Sequence, residues 1–414
     1  MHPTLEATMA RGRAAGVTQL TASAIGRDGR TIQLVPGGPD VCSFATCSYL
    51  ALDRDPRLAA GAIAAIERHG VAFSASRCFV TSPLYAEADA LLAAVFGRPV
   101  VLAGSTTLAH GAALPILLDR RDVVLFDHQV HHSVQTALAA LGPRGPRCEG
   151  VAHADLDALE AAIRAALAGG ARRVWYCADG IYSMLGDRLD VDGLIALMAR
   201  YPALHAYLDD AHGMSWCGRH GGGSLIDAAL PRDRTIIATS LSKGFGCTGG
   251  VIAVPDVGTK QRIENLGPSL MFSIQLPPAV LGAICASARL HLDPALGGYQ
   301  RELADRLTAT RAMVQAHPAL APRAPVVAGA PTPVQYLVLG DVDTVIASAA
   351  AVLARGYLVN PVAFPAVPRH AGGLRITITR AHTEADVRGL LAAVAEVVAD
   401  DAIGRARSPA RAAG

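Results

Sequence analysis

At 414 residues and 51% hydrophobic content, the chain is long enough to bury the core of a two- or three-lobed enzyme. Its formal net charge of +2 is not gathered into a basic face, which argues against a nucleic-acid partner, and no uninterrupted apolar stretch reaches the length of a bilayer span. The amino terminus lacks a signal-peptide pattern and the eight cysteines form no CxxC pair, so the expectation is a cytoplasmic protein with reduced thiols and no metal site.

In chain order, residues 1–54 read as an irregular arm. From 55 to 290, apolar segments of helical period alternate with short β-branched runs, which marks a large domain. Residues 58–69 and 85–96 read as helices, followed by strands over 99–102 and 122–126. Helices over 130–141 and 156–167 precede strands over 173–177 and 204–208, and two more strands follow at 235–239 and 250–254. Strands that are apolar on both faces and alternate with helices predict an α/β fold built on a mostly parallel sheet. Its ligand site should lie at the carboxyl ends of those strands. A break at Gly297-Gly298 separates this region from a smaller α/β domain over 291–400. That domain has strands at 335–339 and 374–379 and helices at 344–353 and 384–398. Residues 401–414, rich in Arg, Ala and Pro, read as a frayed tail.

The chain holds thirty-five arginines but only two lysines, Lys243 and Lys260. Lys243 follows the strand at 235–239 in the run Ser240-Leu241-Ser242-Lys243-Gly244-Phe245-Gly246. Arginine stays protonated, whereas a desolvated lysine can lose its proton, attack a carbonyl and form a Schiff base. A lone Lys-Gly pair in a turn is as readily a surface feature, so a second signal is needed. It comes directly after the strand at 204–208, as Asp209-Asp210-Ala211-His212-Gly213. A carboxylate at the end of a buried strand needs a cationic partner, and a pyridinium nitrogen is a suitable one. His212 is placed to reach a phenolate oxygen on the same ring. In isolation the Asp pair reads equally as a metal ligand or a solvated loop, and the His as structural.

Further motifs line up with these two. They are Asp127-His128-Gln129-Val130-His131-His132-Ser133, Asp179-Gly180-Ile181-Tyr182-Ser183-Met184-Leu185-Gly186-Asp187 and Leu374-Arg375-Ile376-Thr377-Ile378-Thr379. In addition, Gly104-Ser105-Thr106-Thr107 joins a strand to a helix start, where amides and hydroxyls suit a phosphate dianion. Taken together over residues 40–400, the chain resembles the α-oxoamine synthase group of fold type I pyridoxal phosphate enzymes.

The resemblance implies a large pyridoxal phosphate-binding domain followed by a smaller carboxyl-terminal one. It also implies that Lys243 carries the Schiff base with pyridoxal phosphate, Asp209 pairs with the pyridine nitrogen, His212 lies near the ring hydroxyl and His131 lies on the ring face. Asp179 and Ser183 would border the cofactor and substrate, while Ser105, Thr106, Thr107 and Ser240 would hold the phosphate. Ser273, in Phe272-Ser273-Ile274-Gln275, falls in a segment that in this group reaches the neighbouring subunit's phosphate, so a homodimer with shared sites is implied. Arg375 would grip the substrate carboxylate by a bidentate pair. Cys47 stands where the group often has an Asn that orients the substrate, and Thr81 and Tyr85 replace a Gly and a His. These departures concern the substrate more than the cofactor.

The activity implied is a decarboxylative Claisen condensation of an α-amino acid with an acyl thioester of coenzyme A or a carrier protein, giving an α-amino ketone. Transamination, retro-aldol cleavage and simple decarboxylation are alternatives open to the same cofactor. A non-catalytic pyridoxal phosphate-binding protein is the alternative of a different class.

Overall fold

The computed structural model describes residues 3–407, with side chains over 5–399. The chain divides into two units: one runs from the amino terminus to Tyr49, with Met184–Gly186 and everything from Arg301 onward, and the other comprises Leu50–Ser183 and Asp187–Gln300.

The second unit is built on a seven-stranded sheet. Its strands are β1 (Val100–Ala103), β2 (Val123–Asp127), β3 (Arg147–Val151), β4 (Val174–Asp179), β5 (Leu204–Asp209), β6 (Thr235–Ser240) and β7 (Gly250–Ala253), in the order β1-β7-β6-β5-β4-β2-β3. All neighbours pair in parallel except β7, which runs antiparallel to both β1 and β6. Strand β4 shows why so few charged residues occur here. Val174, Tyr176 and Ala178 enter one apolar cluster and Trp175 and Cys177 the other, because a strand's side chains alternate between faces.

Helices Pro83–Phe96, Leu156–Ala168, Val191–Arg200 and Pro278–Leu292 cover the first face, and Thr106–Leu117, His132–Ala139 and Val257–Leu266 cover the second. Several start on a side-chain cap: Ser82, Ser105, Asp155, Asp190 and Asp256 each accept a backbone N–H of the first turn.

In the other unit, Val334–Gly340, Gly372–Thr377 and Asn360–Val362 form a three-stranded antiparallel sheet. The stretch over 1–54 read as irregular instead carries a helix, Pro3–Ala14, and short strands at Ala24–Ile25, Thr31–Gln33 and Val41–Ser43, the last paired with Tyr357–Leu358. Strands of two or three residues are too short to show a period.

Gly297 and Gly298 lie in the first turn of the 21-residue helix Leu296–Ala316, and the boundary between the two units falls in the same helix, after Gln300. Of the stretch read as a frayed tail, the residues to Arg407 continue helix Glu384–Arg407, and 408–414 lie outside the described residues. No helix among the described residues is long and apolar enough to cross a membrane.

One close approach ties the sheet to the site below. A Cβ on Gly250, the first residue of β7, would fall 2.5 Å from the Ser105 carbonyl carbon and the Thr106 Cα, so only glycine lets the helix start rest on this strand. Gly250→Ala is therefore expected to destabilise the protein by about 1–3 kcal/mol. Gly298→Ala, where an added methyl meets nothing within 4 Å, is expected to be neutral or to stabilise by up to about 1 kcal/mol. Unfolding midpoints of the two variants check the pair.

Candidate active site

The carboxyl ends of β4, β5 and β6 place Asp179, Asp209 and Ser240 side by side, with Asp179 directly opposite Asp209 in the register. Beyond β6 the chain makes a closed loop back to β7. Leu241 N–H donates to the Gly249 carbonyl, Cys247 N–H to the Leu241 carbonyl and Gly246 N–H to the Lys243 carbonyl. Gly246 supplies the left-handed backbone (φ 77°) that closes it. This loop presents Lys243 to a cavity of about 220 Å3. Asp179, Asp209, His131, His212, Ser240 and the helix start Ser105-Thr106-Thr107 share its wall with Ser133, Ala211 and Ser242. Lys260 is placed differently. It is tied to Asp89 and, at 3.7 Å, to Glu264, while Lys243 makes no ion pair among the described residues.

The adjacent carboxylates divide their tasks. Asp209 faces the cavity wall, where it accepts from the Ala211 N–H at 3.0 Å and from His110 Nε2 at 3.1 Å. Asp210 turns into the protein, accepting from the Ser224 hydroxyl (2.6 Å) and the Leu225 N–H (3.2 Å), and burial lifts its carboxyl to about 7. Burial also acts on Asp209. The hydrogen bond from His110, with Lys243 and His131 nearby, nevertheless holds it below the ordinary aspartate value. Asp179, raised by burial and then by the neighbouring Asp209 charge, takes the opposite course. The pair therefore concentrates its negative charge on Asp209.

His110, fully buried on the helix behind Asp209, has no counterpart in the sequence reading. With Nε2 donating to the carboxylate, its Nδ1 is left to accept from the Tyr207 hydroxyl at 2.7 Å. The signal available was a single polar residue inside Leu108-Ala109-His110-Gly111-Ala112-Ala113.

His131 caps the helix His132–Ala139: the Ser133 N–H and hydroxyl both converge on its Nδ1, so the neutral ring carries its proton on Nε2. Burial holds this imidazole below its ordinary value. Its backbone N–H donates to Asp179 at 3.1 Å. The preceding residues are fixed by Asp127, which accepts from the Gln129 N–H (2.7 Å), the Tyr182 hydroxyl (2.8 Å) and His153 Nδ1 (2.9 Å). The other ring nitrogen of His153 reaches Asp187 at 2.8 Å.

At the helix start, the Ser105 hydroxyl caps the Leu108 N–H and the Thr106 hydroxyl reaches the Thr239 carbonyl, which leaves first-turn amides and the Thr107 hydroxyl at the cavity. Ser183 and Ser273 are not part of this wall. In the other unit, Arg375 is 6% exposed and donates to the Thr377 hydroxyl (3.1 Å) and to Cys47 Sγ (3.7 Å). Tyr49, whose phenol burial pushes up, is hydrogen-bonded to both Cys47 and Arg375.

The sequence pattern of aminotransferase class I and II matches residues 39–394. The 8-amino-7-oxononanoate synthase of Thiobacillus denitrificans is 32% identical over 364 residues, covering 87% of this chain and 90% of that protein. Among solved structures, the serine palmitoyltransferase of Sphingomonas wittichii superposes with a TM-score of 0.84 at 20% identity, covering 97% and 98% of the two chains. A structure of SPT with a PLP internal aldimine gives 0.85 with the same identity and coverage. At that identity the structural likeness is one of fold.

The Asp127–His153–Asp187 bridge predicts a pH dependence. Burial opposes the charge on His153, but hydrogen bonds to Asp127 and Asp187 outweigh it and raise the imidazole to about 9. A folded-state value above the unfolded one means that the bridge's stabilisation is complete below about pH 6.5 and is lost as pH rises through about 9. His153→Gln is expected to flatten this part of the curve of thermal midpoint against pH, and an unchanged slope would show that His153 does not carry the charge.

Proposed function

Because this chain belongs to the aminotransferase class I and II family, in its α-oxoamine synthase branch, we propose that it joins an α-amino acid to an acyl thioester. The products are an α-amino ketone, the free thiol and carbon dioxide. The observation that carries this reading is the juxtaposition of Lys243 with an Asp209 held ionised, on one cavity closed by a helix start. That donor set fits pyridoxal phosphate: a carboxylate for a protonated pyridine nitrogen, amides and hydroxyls for a phosphate, and an amine for an aldehyde.

Pyridoxal phosphate, when bound, supplies an aldehyde that exchanges amines and a ring that takes up the electron pair released at the substrate Cα. The chain's residues do the rest. Asp209 keeps a proton on the pyridine nitrogen, and His110 keeps Asp209 charged. His131 covers the ring with its Nε2–H, and His212 serves the ring hydroxyl. The first-turn amides of Ser105, Thr106 and Thr107, with Ser240, hold the phosphate. Lys243 would hold the cofactor's aldehyde, and its free amine would take the proton from the substrate Cα. Asp179 borders the same cofactor, whereas Ser183, off the cavity wall, has no contact role in it. Arg375, buried beside Cys47 and Tyr49, offers a guanidinium for the amino acid carboxylate.

Ser273 belongs to an apolar surface that supports the homodimer reading. Its neighbours Phe272 and Ile274 are 85% and 70% exposed, and Gln275 ties their segment to the carbonyls of Ala75 and Val80, next to exposed Phe79.

A panel of amino acids and acyl thioesters, scored for free thiol and by mass spectrometry for the ketone, tests the reaction. Thiol release that needs both substrates is expected. Amino-group transfer to a 2-oxo acid without thiol release would replace this reading with transamination.

Two substitutions test separate parts. Asp209→Asn should keep the cofactor bound and lose about three orders of magnitude in kcat, since a neutral amide no longer favours the protonated ring. Asp210→Asn should leave kcat within about tenfold, and the reverse ranking would exchange the roles of the two carboxylates. Arg375→Lys should raise the amino acid KM about a hundredfold and leave the resting cofactor spectrum unchanged, because an ammonium cannot reproduce the planar two-point grip. A normal KM would show that the carboxylate is held elsewhere.

A further inference from the structure

At the opposite, amino-terminal end of the same strands lies a second cavity, of about 280 Å3. Trp175, His205 and Ile236, the second residues of β4, β5 and β6, form its floor, and Arg172, Arg173, Arg234 and Arg262 stand in its walls. Trp175 and Asp179 lie four residue steps apart on one strand, roughly 13 Å at ~3.3 Å each, so this cavity is distinct from the one holding Lys243.

The arginines are not equally committed. Arg234 donates to the carbonyls of Met198, Tyr201, Pro202 and Leu204, and Arg173 donates to Asp122 and the Leu117 carbonyl. Arg172 and Arg262 each spend a single N–H on the described residues, on Asp122 and the Ile116 carbonyl respectively, although a guanidinium carries five. Of the carboxylates at this end, Asp122 is consumed by Arg172 and Arg173, and Asp119 by Arg121 outside the cavity. Asp233 remains, exposed on the rim. Burial and then the Arg173 and Arg234 charges press His205 down to about 4, so at neutral pH the imidazole adds no charge of its own to this cationic surround.

The decisive observation is the indole of Trp175. This residue is 3% exposed, and its Nε1–H is buried with no hydrogen-bond partner. An unpaired buried donor costs about 1–3 kcal/mol, and native proteins leave few of them. An orphan N–H in a residue that lines a cavity walled by under-used guanidinium groups calls for an acceptor with several oxygens.

We propose that this cavity is a second binding site, for a small oxyanion of the phosphate class, held by Arg172 and Arg262 and oriented by the Trp175 Nε1–H. The inference is independent of the chemistry assigned to Lys243.

Isothermal titration of inorganic phosphate into the pyridoxal phosphate-saturated protein, in chloride buffer of constant ionic strength, tests it. One site per chain with a Kd at or below about 1 mM is expected. Sulfate should compete and chloride should not. Trp175→Phe, which keeps an aromatic floor but removes the donor, and Arg262→Gln should each weaken binding at least about tenfold. Neither substitution touches the Lys243 cavity, so phosphate bound there would be unaffected by both. No saturable heat in the parent protein, or unchanged affinity in either variant, overturns the proposal. If Trp175→Phe fails to fold, the exposed Arg262 position decides alone.

Discussion

A charged carboxylate at the end of a strand that is buried along its length is the constraint from which the site follows. Stripping a carboxylate of water costs several kcal/mol unless partners replace the lost solvation. Asp209 has such partners: His110 behind it, the Ala211 amide beside it, and Lys243 and His131 on the wall of the same cavity. Asp179, one strand away, is shifted the opposite way by burial and by the Asp209 charge. Two neighbouring carboxyl groups of the same type thus have opposite protonation preferences. The difference comes from His110, a residue off the wall of the Lys243 cavity.

The loops around Asp209 are held by similar means. Asp127 and Asp187 share the His153 imidazolium, and Asp127 also fixes the backbone leading to His131. Asp210 does for the Ser224-Leu225 turn what Asp127 does for the His131 loop, and glycines at 180, 213 and 223 leave room for its carboxyl. The side chains that face the cavity therefore sit on short connections pinned by buried hydrogen bonds. This lets loop residues hold positions as strictly as strand residues do.

Much of this was legible in the sequence because β-branched runs and their punctuation locate strand ends, and strand ends locate the site. Lys243 stood out through the near absence of other lysines, and Asp209 and His212 through their place after an apolar strand. His110 did not, because a histidine among alanines on a helix gives no periodic or motif signal, and its role exists only once Tyr207 and Asp209 are brought to it from another element. Strand β3 escaped for a related reason: it lies at the sheet edge, and Arg147-Cys148-Glu149-Gly150 is largely exposed, so neither alternation nor an apolar run marks it. Gly297-Gly298 does lie beside the boundary between the two units, after Gln300, yet inside a helix, which glycine disfavours. The packing of Leu296, Leu303 and Leu307 in the core outweighs that preference.

The central claim is that Lys243 and Asp209 line one pocket that suits pyridoxal phosphate. The most direct measurement is borohydride reduction of the purified, cofactor-loaded protein followed by peptide mapping. The account predicts a fixed pyridoxyl mass on the peptide containing Lys243 and none on that containing Lys260, whose amine is already paired with Asp89 and Glu264. A label on Lys260, or no covalently fixed cofactor at all, would contradict it.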